Sequence, residues 1–176
     1  MPNNKTASIR QEQPSDYKII HKVVKKAFES TEHSDGNEQE LVIMLRKSEA
    51  YIPELSLVAE IDGSIVGHIM FTRAKVGDES VLALAPLSVL PEYQNKGIGK
   101  ALISAGHHIA KKSGYQYSVV LGSETYYPKS GYIPASRFGI IAPFDVPDKN
   151  FMAFKLDDSA PVLCGRLKYD KAFGIE

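Results

Sequence analysis

Gln94-Asn95-Lys96-Gly97-Ile98-Gly99-Lys100-Ala101 stands between a near-continuous apolar run, Val81–Val89, and a stretch with apolar residues at helical spacing, Ile98, Leu102, Ala105, Gly106 and Ile109. The run reads as a strand covered on both faces and the stretch as an amphipathic helix. Two glycines where a helix opens let the backbone approach a ligand closely. First-turn N–H groups have no intrahelical partner, and the positive end of the helix dipole lies beside them, so the segment is an anion site. Lys96 and Lys100 add positive charge, and a pyrophosphate is the natural guest.

Two common phosphate-binding patterns fail on these residues. A P-loop needs Gly where Gln94 stands and Ser or Thr where Ala101 stands. A dinucleotide fingerprint starting at Gly97 needs Gly or Ala where Leu102 stands, directly after the strand, yet Leu90–Gln94 intervenes.

Outward from the loop, Leu55–Ile61 and Ile65–Thr72 flank Asp62-Gly63-Ser64, a hairpin signal. With Val81–Val89 they predict an antiparallel meander. The crossover from Val81–Val89 through the helix to Tyr117–Leu121 predicts a parallel, right-handed pair. Upstream, Ile9–Gln13 reads as a short strand. Ile19, Ile20, Val23, Val24, Ala27 and Phe28 give one helix, capped by Ser15 or Asp16. Leu41, Met44 and Leu45 give a second, with Asn37 and Glu40 as a capping box. Glu29–Gly36 reads as a loop, Asp145–Asn150 as a turn region, and Phe151–Leu156 and Cys164–Tyr169 as the last strands. The fold class expected is α/β (α+β), a mixed, mostly antiparallel sheet flanked by helices, with residues 1–176 forming one domain.

The chain has 176 residues with 21 Lys+Arg and 21 Asp+Glu, so its formal net charge is zero. No basic excess supplies the counterion release that drives nucleic-acid binding, and none holds an anionic membrane surface. The longest mostly apolar run, Val81–Leu90, is too short to span a bilayer, and Met1–Ser8 is polar. A cytoplasmic protein is the expectation. One cysteine excludes an internal disulfide and a zinc site needing two thiolates. Cys164 reads as a packing residue. His107 and His108 are adjacent on a helix and point apart, and Glu32, His33 and Asp35 read as a loop rather than a metal site. No metal is expected.

Gln94-x-x-Gly97-x-Gly99, following Leu87-Ser88-Val89-Leu90-Pro91-Glu92-Tyr93, resembles the coenzyme A pyrophosphate loop of the GNAT N-acetyltransferase superfamily. Downstream, Tyr127-Pro128-Lys129-Ser130-Gly131-Tyr132 is similar to that family's aromatic-x-x-x-Gly-aromatic element. The doubled Tyr126-Tyr127 and the ending Gly165–Phe173 resemble a branch of predicted acetyltransferases of unassigned substrate.

The resemblance implies acetyl transfer from acetyl-CoA to a primary amine by direct attack, without a covalent enzyme intermediate. It implies pyrophosphate binding by Gln94, Asn95, Lys96, Gly97, Ile98, Gly99 and Lys100. The pantetheine arm would lie along Leu87, Ser88 and Val89, with the N–H of Leu87 or Val89 meeting the developing oxyanion. It gives Tyr127 the role of general acid, while Tyr126 packs. No general base carries over: some members of the family place a Glu on the strand before the loop, and Val81–Val89 has none. Glu60, His68 and Glu124 are candidates by position alone. The implied acceptor is a small molecule or peptide carrying an amine, received near Glu29–Asn37 and Ser136–Asn150, with acidic residues favouring a cation. A homodimer is compatible with the family. A non-catalytic acyl-CoA sensor and a nucleotide-phosphate enzyme are the alternative readings.

Overall fold

The computed structural model describes residues 5–32 and 34–175. In chain order these form β1 (Ser8–Gln11), α1 (Tyr17–Phe28), α2 (Glu38–Arg46), β2 (Tyr51–Ile61), β3 (Ser64–Val76), β4 (Glu79–Val89), α3 (Ile98–Lys112), β5 (Tyr117–Leu121), β6 (Ile133–Pro134), β7 (Ile140–Ile141), β8 (Phe151–Lys155) and β9 (Gly165–Lys168). The sheet runs β1-β2-β3-β4-β5-β8-β6, and β9 pairs with both β3 and β7. Only β4 with β5 and β7 with β9 are parallel. The mixed, mostly antiparallel sheet is the one expected. Asp62 and Gly63 both take positive φ, the turn an Asp-Gly pair favours between β2 and β3.

Helix α3 covers one face of the sheet, packing Leu102 and Ile103 onto Leu57, Ile69, Phe71 and Leu82. It lies close: a Cβ at Gly106 would run into the Phe71 ring. Helices α1 and α2 cover the other face over β2 and β3, with Ile20, Val24 and Leu45 on Val58 and Met70. Over β4, β5 and β8 that face is closed by the chain's last third, which brings Ala135, Ile140, Leu163 and Leu167 onto Val81, Tyr117 and Val119. The expected turn region and tail therefore form a packed layer. Backbone hydrogen bonds tie it together: Leu163 N–H donates to the Phe138 carbonyl at 2.8 Å, and Gly165 N–H to the Gly139 carbonyl at 3.2 Å.

Three local expectations change. Asp16 does stand at the start of α1, but its carboxylate accepts from the Gln13 N–H and the Arg10 guanidinium rather than from the helix. Asn37 precedes α2 without a side-chain cap, because the Glu40 side chain turns to His21 at 3.1 Å and completes no capping box. Cys164 is exposed, not packed, since it falls just before β9 rather than within it. His33 lies outside the described residues.

Candidate active site

The site begins where β4 parts from β5. The two strands pair only at Leu82 with Ser118 and Ala83 with Val119. Beyond that, β5 continues along β8 through Leu121, while β4 continues along β3 to Val89. A bulge marks the parting. Ile69 faces Leu87 and Phe71 faces Leu84, so Ala85 and Pro86 together oppose Met70. Pro86 has no N–H to give a ladder, and a bulge is where a strand tolerates it. Leu87, Ser88 and Val89 therefore keep their pairing to β3 and border an open wedge on the β5 side.

The glycine loop closes the head of that wedge. Gln94 braces the loop, its Nε2 donating to the Val89 carbonyl at 3.0 Å. Asn95 and Gly97 take left-handed φ of 61° and 82°, conformations favoured by Asn and Gly. That path leaves the N–H groups of Asn95, Lys96, Gly97, Ile98, Gly99 and Lys100 without a hydrogen-bond partner among the described residues, the first helical donation being Ala101 N–H to the Gly97 carbonyl at 3.0 Å. Six consecutive free donors at the positive end of a 15-residue helix form a nest for an anion. Lys96 sits over the Tyr93 ring, and both it and Lys100 are exposed.

Two tyrosines flank the wedge from the turn that follows β5. The Tyr127 ring rests on Gly122, where any Cβ would collide with it, and meets Tyr132 edge-on at 5.8 Å. Burial, with Tyr126 beside it, pushes the Tyr127 phenol up, so it stays protonated at neutral pH. Its hydroxyl makes no hydrogen bond with a described residue. Tyr126 does more than pack: its hydroxyl stands against Gly99, where a Cβ would strike it. The contact of Tyr126 with the loop is not legible in the sequence, since only the fold brings this turn to the head of α3.

Beside α3, a cavity of about 380 Å³ is lined by Lys100, Ser104, His107, Lys129, Ser130 and Phe154. His107 stacks on Phe154 at 4.2 Å and reaches the Tyr132 hydroxyl at 2.9 Å, which in turn meets Ser118 at 2.8 Å. Burial lowers His107 to about 4, so it is neutral. His108, its neighbour, is exposed and points elsewhere.

The candidate bases separate. Glu60 is held by Arg10, and Glu124 by Asn150 and Lys149 on the surface. His68 is fully buried on β3, inside a polar cluster that no local spacing reveals. Its Nε2 lies 3.1 Å from Ser56 Oγ and 3.3 Å from Glu12 Oε2. Glu12 also accepts from Arg46 at 2.9 and 2.8 Å and from the Tyr51 hydroxyl at 2.8 Å. Burial alone would raise the Glu12 carboxyl, but the hydrogen bonds from Arg46 and His68 outweigh it and hold it well below the usual carboxylate range. Burial pushes His68 down, so the imidazole is neutral.

Where α1 ends, Lys26 approaches Glu92 of the turn after β4. There a cavity of about 360 Å³ is bordered by Lys25, Phe28, Glu29, Asp35, Glu38 and Gln39. Glu29 and Asp35 thus share a cavity with Glu38, whereas Glu32 does not line it and Glu40 is paired with His21. No group of three or more metal-ligating side chains occurs among the described residues, and no helix is long and apolar enough to cross a membrane.

Residues 18–132 match the acetyltransferase (GNAT) family. The chain is 40% identical to the Escherichia coli protein named uncharacterized N-acetyltransferase YjhQ, over 77% of this chain and 75% of that one. Among solved structures it is similar to the N-acetyltransferase YhbS of Escherichia coli in complex with CoA, at a TM-score of 0.87 and 28% identity, covering 96% of this chain and 92% of that one. It is also similar to a GNAT family acetyltransferase of Brucella melitensis in complex with acetyl-CoA, at 0.78 and 32% identity, covering 96% and 99%.

Proposed function

The chain belongs to the acetyltransferase (GNAT) family, and from that premise we propose that it moves an acetyl group from acetyl-CoA to a primary amine, without a covalent enzyme intermediate. The observation that carries this is the row of six unpartnered N–H groups from Asn95 to Lys100, opening beside the free edge of β4. The row suits a pyrophosphate, and Lys96 and Lys100 add charge. The β4 edge suits an amide-bearing pantetheine, which pairs as a short added strand along Leu87, Ser88 and Val89. CoA and acetyl-CoA in the Escherichia coli and Brucella melitensis structures support the same assignment.

In this reading the N–H of Leu87 or Val89 faces the carbonyl oxygen as it gains charge. Tyr127 gives its proton to the departing sulfur, a role supported by its unengaged hydroxyl. The cavity at the end of α1, with Glu29, Asp35 and Glu38, favours a cationic amine.

The test is release of free thiol from acetyl-CoA across an amine panel, alongside direct binding of acetyl-CoA, ATP and NAD. Acetyl-CoA binds and thiol appears only with amine. Binding without thiol release from any amine would leave an acyl-CoA sensor, and preference for ATP or NAD would remove acetyl transfer altogether. Gly99→Glu, which sets bulk and negative charge in the nest, lowers acetyl-CoA affinity about tenfold or more, roughly 1.4 kcal/mol. The exposed Tyr126 ring can swing aside for it, so the fold is kept.

A further inference from the structure

We propose that Glu12, His68 and Ser88 form a proton relay that takes the proton from the incoming ammonium; this rests on the acetyl-transfer reading above. The starting point is a pair of buried polar atoms with no partner. His68 Nδ1 and Ser88 Oγ are both enclosed and both unbonded. Unsatisfied buried groups of this kind are costly and call for an explanation. These two are not scattered. His68 on β3 and Ser88 on β4 are directly opposed in the ladder. Directly opposed side chains share a face, with Cβ atoms about 4.5–5.5 Å apart.

Their chemistry is complementary. The Glu12 carboxylate fixes the His68 proton on Nε2, where the contact is made. Nδ1 is then a free lone pair, and Ser88, opposite His68 in the ladder, carries the nearest unengaged hydroxyl of β4. Ser88 in turn belongs to the three-residue segment of β4 that borders the wedge, between Leu87 and Val89. The charged and titratable groups around the imidazole are Glu12, Arg46 from α2, Tyr51 from β2 and, behind them, Tyr17 from α1 stacked under Arg46. β4 contributes only the serine. Arg46 already balances Glu12, which keeps His68 neutral at rest and ready to accept.

The steps balance. An ammonium proton passes to Ser88 Oγ as the serine proton passes to His68 Nδ1. Serine is regenerated, and the imidazolium faces the Glu12 carboxylate. The freed amine lone pair forms the C–N bond at the acetyl carbon. The C–S bond breaks as the sulfur takes the Tyr127 proton, and the second amine proton restores the phenol. His68 afterwards loses its proton to solvent. His68 acts at one remove, through the serine, and Glu12 positions it.

Ser88→Ala is the decisive variant, because deleting an unbonded hydroxyl leaves the fold as stable as wild type or slightly more so. Thiol release from acetyl-CoA is followed with n-butylamine, an ammonium at neutral pH, and with hydroxylamine, which is already neutral there. At pH 7, Ser88→Ala and His68→Gln slow butylamine transfer about 10²-fold, while hydroxylamine transfer changes less than about twofold. In wild type kcat/KM for butylamine is level across neutral pH. In the variants it climbs about tenfold per pH unit, following the free amine. Equal losses with both nucleophiles, or no loss with either, overturn the relay. So does a wild type that serves hydroxylamine alone, since it shows no base assistance. A wild type that transfers to neither removes the acetyl-transfer reading itself, and the relay with it.

Discussion

At the head of α3 the chemistry is carried by backbone: six N–H groups in a row, with no side chain needed to make them. Under α1 it is carried by side chains from four separate segments, Glu12 after β1, Arg46 at the end of α2, Tyr51 and Ser56 on β2, and His68 on β3. The first arrangement buries no charge when empty. The second must be complete, because a buried charge without its partner is expensive. One region is built for a guest and the other largely for itself, and substitutions should divide along that line.

The sharpest division concerns Tyr127. Tyr127→Phe keeps the ring on Gly122 and removes only the acid, so turnover falls about 10²–10⁴-fold with acetyl-CoA affinity retained. Steady-state rates and a binding titration read the two separately, and Tyr126→Phe does less to turnover. If the two variants exchange places, the acid is Tyr126. At Arg46, which balances the buried carboxylate, the loss falls on stability instead. Arg46→Met strands the Glu12 carboxylate and costs about 3–5 kcal/mol in urea unfolding. Adding Glu12→Gln to it recovers part of that loss, whereas a loop variant such as Gly99→Glu is not rescued by any change in the cluster.

The pH dependence distinguishes the regions further. Glu12 is depressed in the folded state, so its contribution is present above its unfolded value of 4.5 and is lost as pH falls below that. His107 is also depressed, to about 4 from 6.5, so the unfolded chain binds its proton first and stability drops as pH falls from 6.5 towards 4. His107→Gln flattens the upper part of the acid-unfolding curve and leaves the lower part. The smallest effect belongs to the acidic cavity. Asp35→Asn with Glu38→Gln raises KM for a cationic acceptor up to about fivefold at low salt, and the gap narrows as salt is added. A KM indifferent to both changes would mean that the cavity does not attract the amine.

The meander, the β4-α3-β5 crossover and the phosphate-type loop were legible because each is local. An Asp-Gly pair, a run of apolar residues and two glycines before a helical stripe say what they do within ten residues. The relay atoms were not. Glu12 looks like any polar residue after a short strand, and Arg46 like any basic residue ending a helix. Only the pairing of β2 between β1 and β3 brings Glu12, Ser56 and His68 together. Gln94 was legible as part of the motif but not as a brace, because its partner is a backbone carbonyl five residues earlier. The last third read as turns and a tail because its packing is set by β9, whose partners β3 and β7 lie about 90 and 25 residues upstream. Cys164 misled because apolar neighbours in sequence do not say where a short strand begins, and β9 starts one residue later.

The parting of β4 from β5 also bears on how the molecule behaves in a crowded solution. Unpaired strand edges ordinarily sit at the rim of a sheet, where a neighbouring molecule can add to them and start an aggregate. Here the unpaired stretch of β4 lies in the middle, with β3 behind it, α3 on one side and the last third of the chain on the other. Another protein's strand would have to enter between α3 and the last third of the chain to reach it. Placing the open edge at the centre keeps it away from the rim, where strands of other molecules add.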